Sequence, residues 1–156
     1  MPKKIKFQLT LKGTAGNDTL IGRNDEDDAI SGGQGDDLIS AFQGADTLIG
    51  GEGEDTFKFD SWAASNITYG EDMIADFEPE DEIDLANILV YSDEDDDGIV
   101  EASRPVAFDD IEITPIAGGN RIHVAVWPGD SRWDLNIKCL GATPTEVNFK
   151  LAPAAA

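Results

Sequence analysis

The sequence predicts an all-β fold: a parallel β-roll of about five nonapeptide units that continues into an antiparallel β cap at the C-terminal end. Three observations carry this reading. An aspartate recurs at a near-constant interval between Gly13 and Lys58, and one large apolar residue follows it two positions later each time. Four runs with the composition of strands, separated by turn residues, then fill the region from 111 to 151.

The chain opens on residues 1–12, which are basic but alternate apolar and polar positions at Ile5, Phe7, Leu9 and Leu11. A period of two is that of a strand, so this segment is expected to cap the N-terminal end of the roll. It contains no continuous apolar stretch of the kind a cleaved export signal needs, and no run in the chain reaches the length of a membrane span.

From Gly13 the sequence tiles as GTAGNDTLI, GRNDEDDAIS, GGQGDDLIS, AFQGADTLI and GGEGEDTFK. The recurring acids are Asp18, Asp28, Asp37, Asp46 and Asp55. The apolar residues two places later are Leu20, Ile30, Ile39, Leu48 and Phe57; two places earlier stand Gly16, Glu26, Gly35, Gly44 and Gly53. A unit this short has no core of its own, so regular repetition signals a solenoid in which neighbours bury one another. Each unit is a tight turn followed by a three-residue strand with its large side chain inward. Two units complete one coil, which stacks turns one, three and five on one edge and turns two and four on the other.

After Phe59 the pattern changes. Residues 60–70 read as a loop with a helical turn around Trp62 to Ala64, MIADF as a strand and EPED as a turn. An apolar stretch at 84–91 and an acidic loop at 92–98 follow. The four β-like runs are Ile111 to Thr114, Arg121 to Trp127, Leu135 to Leu140 and Val147 to Leu151. The expected organisation is therefore 1–12 capping strand, 13–59 roll and 60–156 β-rich cap, since an open stack end exposes apolar surface and strand edges.

Charge restricts what such a fold meets. The chain holds 32 acidic against 11 basic residues, a formal net charge of -21. Between Asp18 and Asp110 lie 28 of the acids and only Arg23, Lys58 and Arg104. That density repels itself unless cations neutralise it, which argues against nucleic acid and anionic membranes as partners and for hard cations. Cys139 is the only cysteine, so no internal disulfide forms, and the single His123 argues against zinc sites and most acid–base triads. No HExxH, GxSxG or phosphate-binding loop occurs.

The glycine–aspartate nonapeptide resembles the RTX repeat GGxGxDxUx of calcium-binding parallel β-rolls, best at Gly32 to Ser40 and Gly50 to Lys58. The run from GGEGEDTFKF into DMIADFEPEDEIDL resembles the closing part of the C-terminal modules of secreted metalloproteases, lipases and alginate epimerases. The resemblance implies Ca²⁺ held by the aspartates and by carbonyls of successive turns on one edge. An all-oxygen shell suits Ca²⁺, which takes six to eight oxygens, and suits Mg²⁺ poorly. Carried over residue by residue, it implies one site shared by Asp18 and Asp37, a second by Asp37 and Asp55, and a third by Asp28 and Asp46. Ala15, Asn17, Gly33, Gly35, Gly51 and Gly53 are the expected carbonyl ligands. Glu26, Arg23, the extra residue of the second tile and Ala41-Phe42 depart from the pattern and weaken the third site.

Two carboxylates about 5 Å apart repel by roughly 3 kcal/mol at an effective dielectric near 20. A site at about a thousand times its Kd stabilises the fold by about 4 kcal/mol. The expectation is a calcium-driven fold, unfolded at cytosolic calcium and folded outside the cell.

Two further acidic sets are candidates. Asp93, Asp95 and Asp97 before Gly98 reproduce the opening D-x-D-x-D-G of an EF-hand-type loop, but Arg104 stands where a bidentate glutamate is needed, and a solvated acidic turn is an equal alternative. Asp72, Asp76, Asp81 and Asp84 form the other set, with turn and capping roles as the alternative. Trp62, Trp127 and Trp133 read as core or rim residues ahead of a sugar-stacking platform, and His123 as a structural strand residue.

The resemblance implies a secreted, non-catalytic calcium-binding module exported by type I secretion machinery, with VNFKL and the tail LAPAAA as its C-terminal signal. The alternatives are a polysaccharide-binding accessory module of a secreted enzyme such as an alginate epimerase, or a calcium-dependent adhesin or matrix protein.

Overall fold

The computed structural model describes residues 9–24, 26–60, 70–92, 102–126 and 134–153. The helical turn at Trp62 to Ala64, the acidic loop with Asp93, Asp95 and Asp97, all three tryptophans, the strand positions Ile5 and Phe7 and the end of the tail lie outside them.

The repeat region alternates between two sheets. Strands β1 (Thr10–Lys12), β3 (Ala29–Gln34), β5 (Thr47–Glu52) and β7 (Asp72–Phe77) belong to one sheet. Strands β2 (Thr19–Ile21), β4 (Leu38–Ser40), β6 (Thr56–Lys58) and β8 (Glu82–Asp84) belong to the other. All neighbours within each set pair parallel. The chain thus winds as a coil of two strands per turn, as the tiling requires.

The core between the sheets is two stacked rows, each receiving one side chain per strand. One row runs Leu11, Ile30, Leu48, Ile74 and Cys139; the other runs Leu20, Ile39, Phe57, Ile83 and Phe149. Interior members are buried completely, whereas Leu11 and Leu20, on the first coil, are only partly covered. A fully buried aliphatic or aromatic side chain contributes about 1.5–3 kcal/mol. Two rows one residue wide are a thin core, and the edges matter correspondingly more.

Strands β3, β5 and β7 of the first sheet are six residues long rather than three. Gly33 pairs with Gly51 and Gln34 with Glu52, so the glycine pairs of the third and fifth units continue the ladder before the chain turns. Gly33 and Gly51 do this at φ of 122° and 108°, where other residues rarely go.

Parallel winding does not stop at residue 59. β7 and β8 continue the coil against β5 and β6, although antiparallel pairing was expected there. The reason is chemical: Asp72 with Ile74 and Asp81 with Ile83 repeat the aspartate-plus-two-apolar unit after a longer connection. Beyond them β13 (Leu135–Gly141) and β14 (Phe149–Lys150) also add parallel, to β7 and β8. The antiparallel part is the meander β11 (Ile111–Ile116), β12 (Gly119–Val124) and β13, together with the separate pair β9 (Leu89–Ser92) and β10 (Ala102–Pro105). The four expected C-terminal runs all contain strands, while β10 was not foreseen.

Candidate metal centre

Every coil crosses between the sheets through two turns, and the aspartates stand at the ends of those turns. On the first edge the backbone N–H of Asp18 donates to Asp37 Oδ1 at 2.8 Å, that of Asp37 to Asp55 Oδ1 at 2.9 Å, and that of Asp55 to Asp81 Oδ1 at 3.1 Å. On the second edge Leu9 donates to Asp28 Oδ1 at 3.2 Å, Asp28 to Asp46 Oδ1 at 2.6 Å, and Asp46 to Asp72 Oδ1 at 2.9 Å. The structure therefore brings together all three expected pairs. It adds Asp81 and Asp72 as the next rungs of the first and second ladders.

Each carboxylate beyond Asp18, the first rung of its edge, spends one oxygen on this ladder, and the fate of the Oδ2 atoms divides the set. Asp18 Oδ2 accepts from the Thr14 N–H at 2.6 Å and its hydroxyl at 2.8 Å, Asp28 Oδ2 from Arg23 N–H at 2.7 Å, and Asp81 Oδ2 from Glu78 N–H at 2.8 Å. The Oδ2 atoms of Asp37, Asp46 and Asp55 are buried and have no hydrogen-bond partner. These three residues are no more than 2% exposed. Leaving a buried acceptor unsatisfied costs about 1–3 kcal/mol, more for a charged group.

Glycines open the space in front of those oxygens. A Cβ on Gly32 would lie 2.1 Å from Asp37 Oδ2 and 2.6 Å from the Gly50 carbonyl oxygen; one on Gly50 would lie 2.2 Å from Asp55 Oδ2. Gly13 holds the same relation to Asp18 and the Gly32 carbonyl, and Gly22 to Asp28 and the Ala41 carbonyl. The spacing to the aspartate is five residues at Gly13, Gly32 and Gly50 and six at Gly22. The extra residue of the second tile is thus absorbed inside its turn, where Arg23 pairs with Glu26 at 2.5 Å. The fourth tile has Ala41 at that place, and its neighbour Phe42 takes φ 68°, the only positive φ outside glycine among the described residues.

Carbonyls stack in register along the first edge. A Cβ on Gly51 would meet the Gly33 oxygen at 2.0 Å, one on Gly53 the Gly35 oxygen at 2.3 Å, and one on Gly33 the Thr14 oxygen at 2.3 Å. The first-tile carbonyl in line with Gly33 and Gly51 is therefore that of Thr14, one place before the expected Ala15, which is exposed. Asn17 enters through its side chain. Its Oδ1 accepts from Asp36 N–H at 3.0 Å, Asp36 Oδ1 accepts from Glu54 N–H at 3.0 Å, and Asp27 Oδ1 accepts from Ala45 N–H at 3.1 Å. This exposed outer ladder runs in the opposite sense, from later N–H to earlier side chain. The variable residue types at these positions hid it in the sequence.

Burial raises the affinity of these carboxylates for protons. It pushes Asp46 up to about 7, with the nearby Asp28 charge adding to the effect, and Asp81 up to about 6. Asp55 is raised for the same reason. An oxygen that is buried, unpartnered and hard to ionise invites either a proton or a cation. Among the described residues no three acidic, histidine or cysteine side chains gather in one group. An ion here would draw on one or two carboxylates and on backbone carbonyls, and such an all-oxygen set fits Ca²⁺.

The other candidates are occupied differently. Asp76 accepts from Gly50 and Gly51 N–H at 3.0 and 3.1 Å and so braces a glycine turn. Asp84 accepts from Ala86 N–H at 3.0 Å and from Lys150 Nζ at 2.8 Å, pinning β14 to β8. His123 Nε2 lies 3.0 Å from Asp134 Oδ2, and Asp134 Oδ1 accepts from Val126 N–H at 3.1 Å. Cys139 is buried in the apolar row and its thiol is pushed up to about 12 by burial, which leaves no reactive thiolate.

Comparison with known proteins agrees with this geometry. The family model of the RTX calcium-binding nonapeptide repeat matches residues 10–28 and 23–57, in four copies. No curated protein matches the chain. Among solved structures the chain is similar to the AlgE6R3 subunit of the Azotobacter vinelandii mannuronan C5-epimerase, determined in solution. The two share 23% identity over 96% of this chain and 81% of that one, with a TM-score of 0.59, which makes the fold a common one.

Proposed function

Because residues 10–57 are RTX calcium-binding nonapeptide repeats, we propose that the chain is a secreted, non-catalytic module whose coil is completed by Ca²⁺ outside the cell. The observation that carries this reading is the set of buried, unpartnered Oδ2 atoms on Asp37, Asp46 and Asp55. These oxygens would hold Ca²⁺ together with carbonyls of the stacked turns, among them Gly33, Gly35, Gly51 and Gly53. Asp18 and Asp28 would complete the first coil, and Asp72 and Asp81 the last. Bound Ca²⁺ supplies the positive charge that the ladders lack. The chain's own part is to hold the oxygens in line and to keep the turns free of side chains.

A module of this kind suits export through type I secretion machinery, where a chain unfolded at low calcium threads and then folds on arrival. Calorimetric titration tests the binding. Several Ca²⁺ per chain, with Mg²⁺ failing to compete at equal concentration, is the expected result; equal binding of Mg²⁺ would sink the reading.

A second reading, a polysaccharide-binding accessory module, draws support from one surface feature besides the likeness of fold. Arg121 and Lys138, neighbours across β12 and β13, both reach the single carboxylate of Glu71 at 2.8 Å. That leaves a surplus positive charge on an otherwise acidic chain, suited to an acidic glycan. Retention on a polyuronate column, with and without calcium, tests it. No retention on any acidic glycan removes it.

A further inference from the structure

The first-edge ladder has to end, and its last turn is closed in a way that no other turn among the described residues is. In the preceding coils, the carbonyl of each ladder aspartate accepts a backbone N–H from the next coil. Leu38 donates to Asp18 at 2.9 Å, Thr56 to Asp37 at 2.8 Å, and Glu82 to Asp55 at 2.7 Å. β14 pairs with β8 with Phe149 beside Ile83, so one residue earlier Asn148 falls beside Glu82 and is the next donor in register. Its backbone N–H is turned away, however, to the Thr145 carbonyl at 3.0 Å.

The side chain takes over. Asn148 Nδ2 donates to the Asp81 carbonyl at 2.9 Å and to the Pro79 carbonyl at 2.9 Å. Pro79 stands two residues before Asp81, the place that Gly53 holds before Asp55. The amide is held in that orientation because its Oδ1 accepts from both the N–H and the hydroxyl of Thr145, each at 3.0 Å. Asn148 is 5% exposed, while Val147, in register with the ladder aspartates, is 88% exposed. The remaining groups of the last rung close within their own turn: Asp81 N–H on the Glu78 carbonyl at 3.2 Å and Asp81 Oδ2 on Glu78 N–H.

We propose that Asn148 terminates the first-edge cation ladder, its side-chain amide supplying to the Pro79 and Asp81 carbonyls the positive pole that a further turn and its cation would supply. The inference rests on the calcium reading of the ladders. It adds that the number of ions on this edge is set by one neutral residue in the cap. A carboxylate at 148 would face two carbonyl oxygens and require a cation; a methyl would leave both carbonyls without a donor and create no ligand.

Native mass spectrometry at saturating calcium, with thermal unfolding across a calcium series, tests this on Asn148→Asp and Asn148→Ala. The Asn148→Asp protein is expected to carry one ion more than wild type and to gain stability more steeply with calcium. Asn148→Ala is expected to keep the wild-type count and slope with a lower Tm throughout. An unchanged count in Asn148→Asp, or its failure to fold in calcium where Asn148→Ala folds, overturns the proposal. The wild-type ion count in the same experiment judges the calcium reading separately. A readout that needs no variant is NMR of the Asn148 side-chain amide in calcium-loaded wild type. Both protons should be protected from solvent exchange; rapid exchange of either contradicts the assignment.

Discussion

Asp55 divides its carboxylate between two tasks: Oδ1 accepts the backbone N–H of Asp37 at 2.9 Å, while Oδ2, equally buried, accepts nothing. The first contact ties one coil to the next without any metal. The second leaves a buried acceptor facing the space that Gly50 keeps open. The same division holds at Asp37 and Asp46, and on the proposed reading cations at these oxygens would complete a coil whose apolar core is thin.

Substituting an interior rung should therefore change sign with calcium. In saturating calcium, Asp37→Ala removes a ladder hydrogen bond and a ligand, and it should destabilise by about 2–4 kcal/mol. In chelator it also removes a buried charge, so the loss should shrink or reverse. Because Asp72 continues the second edge, Asp46→Ala should raise the calcium midpoint as much as Asp37→Ala, and both more than Asp18→Ala. Midpoints of calcium titrations for the three variants check this, and a mild Asp46→Ala would detach Asp72 from the ladder.

This comparison shows what was legible in the sequence. The recurrence of aspartate with an apolar residue two places on was enough to assign coils, edges and the pairs Asp18–Asp37, Asp37–Asp55 and Asp28–Asp46. Asp72 and Asp81 were harder to place because the step between stacked aspartates grows from 18 or 19 residues to 26. A strict nonapeptide period breaks at that insertion, although D-x-I survives it at both positions. The outer ladder of Asn17, Asp36 and Asp27 left no residue-type signature, since a side-chain oxygen of any of several kinds serves. Asn148 is a single residue whose role depends on a register fixed only by folding.

The pH dependence follows from the raised carboxyls. Asp46 at about 7 and Asp81 at about 6 hold protons in the metal-free fold that the unfolded chain, near 3.8, has released. The folded state binds more protons across this window, so without metal its stability is fully present below about 4 and falls as pH rises toward 7. Chelated protein should gain β-structure on acidification from pH 8 to 5, followed by circular dichroism. In the same range the calcium midpoint should rise, because protons compete for the same oxygens. A calcium midpoint independent of pH between 5 and 8 would contradict this.

Two glycine substitutions form a matched pair. Gly51→Ala places a Cβ 2.0 Å from the Gly33 oxygen at φ 108° and should cost about 2 kcal/mol or more. Gly16→Ala has nothing within 4 Å and should be neutral to within about 0.5 kcal/mol. Thermal unfolding in calcium distinguishes them, and equal losses would mean that the carbonyl stacking is not what demands glycine.

The outer ladder should act on coil register and not on ion binding. Asp36→Ala loses the acceptor for Glu54 N–H and should lower stability by about 0.5–1.5 kcal/mol, while Asp36→Asn keeps it. Neither variant should change the number of Ca²⁺ bound, as counted by native mass spectrometry. A lost ion in Asp36→Ala would move this residue into the metal shell.

The central claim, that cations on the aspartate ladders complete the coil, is tested most directly by far-UV circular dichroism of the chelated chain at neutral pH during titration with calcium, using magnesium as the control. The account expects a largely unfolded spectrum in chelator, a cooperative gain of β-structure with calcium, and no comparable gain with magnesium. A chain already fully β-structured in chelator, with a spectrum that calcium leaves unchanged, would contradict it.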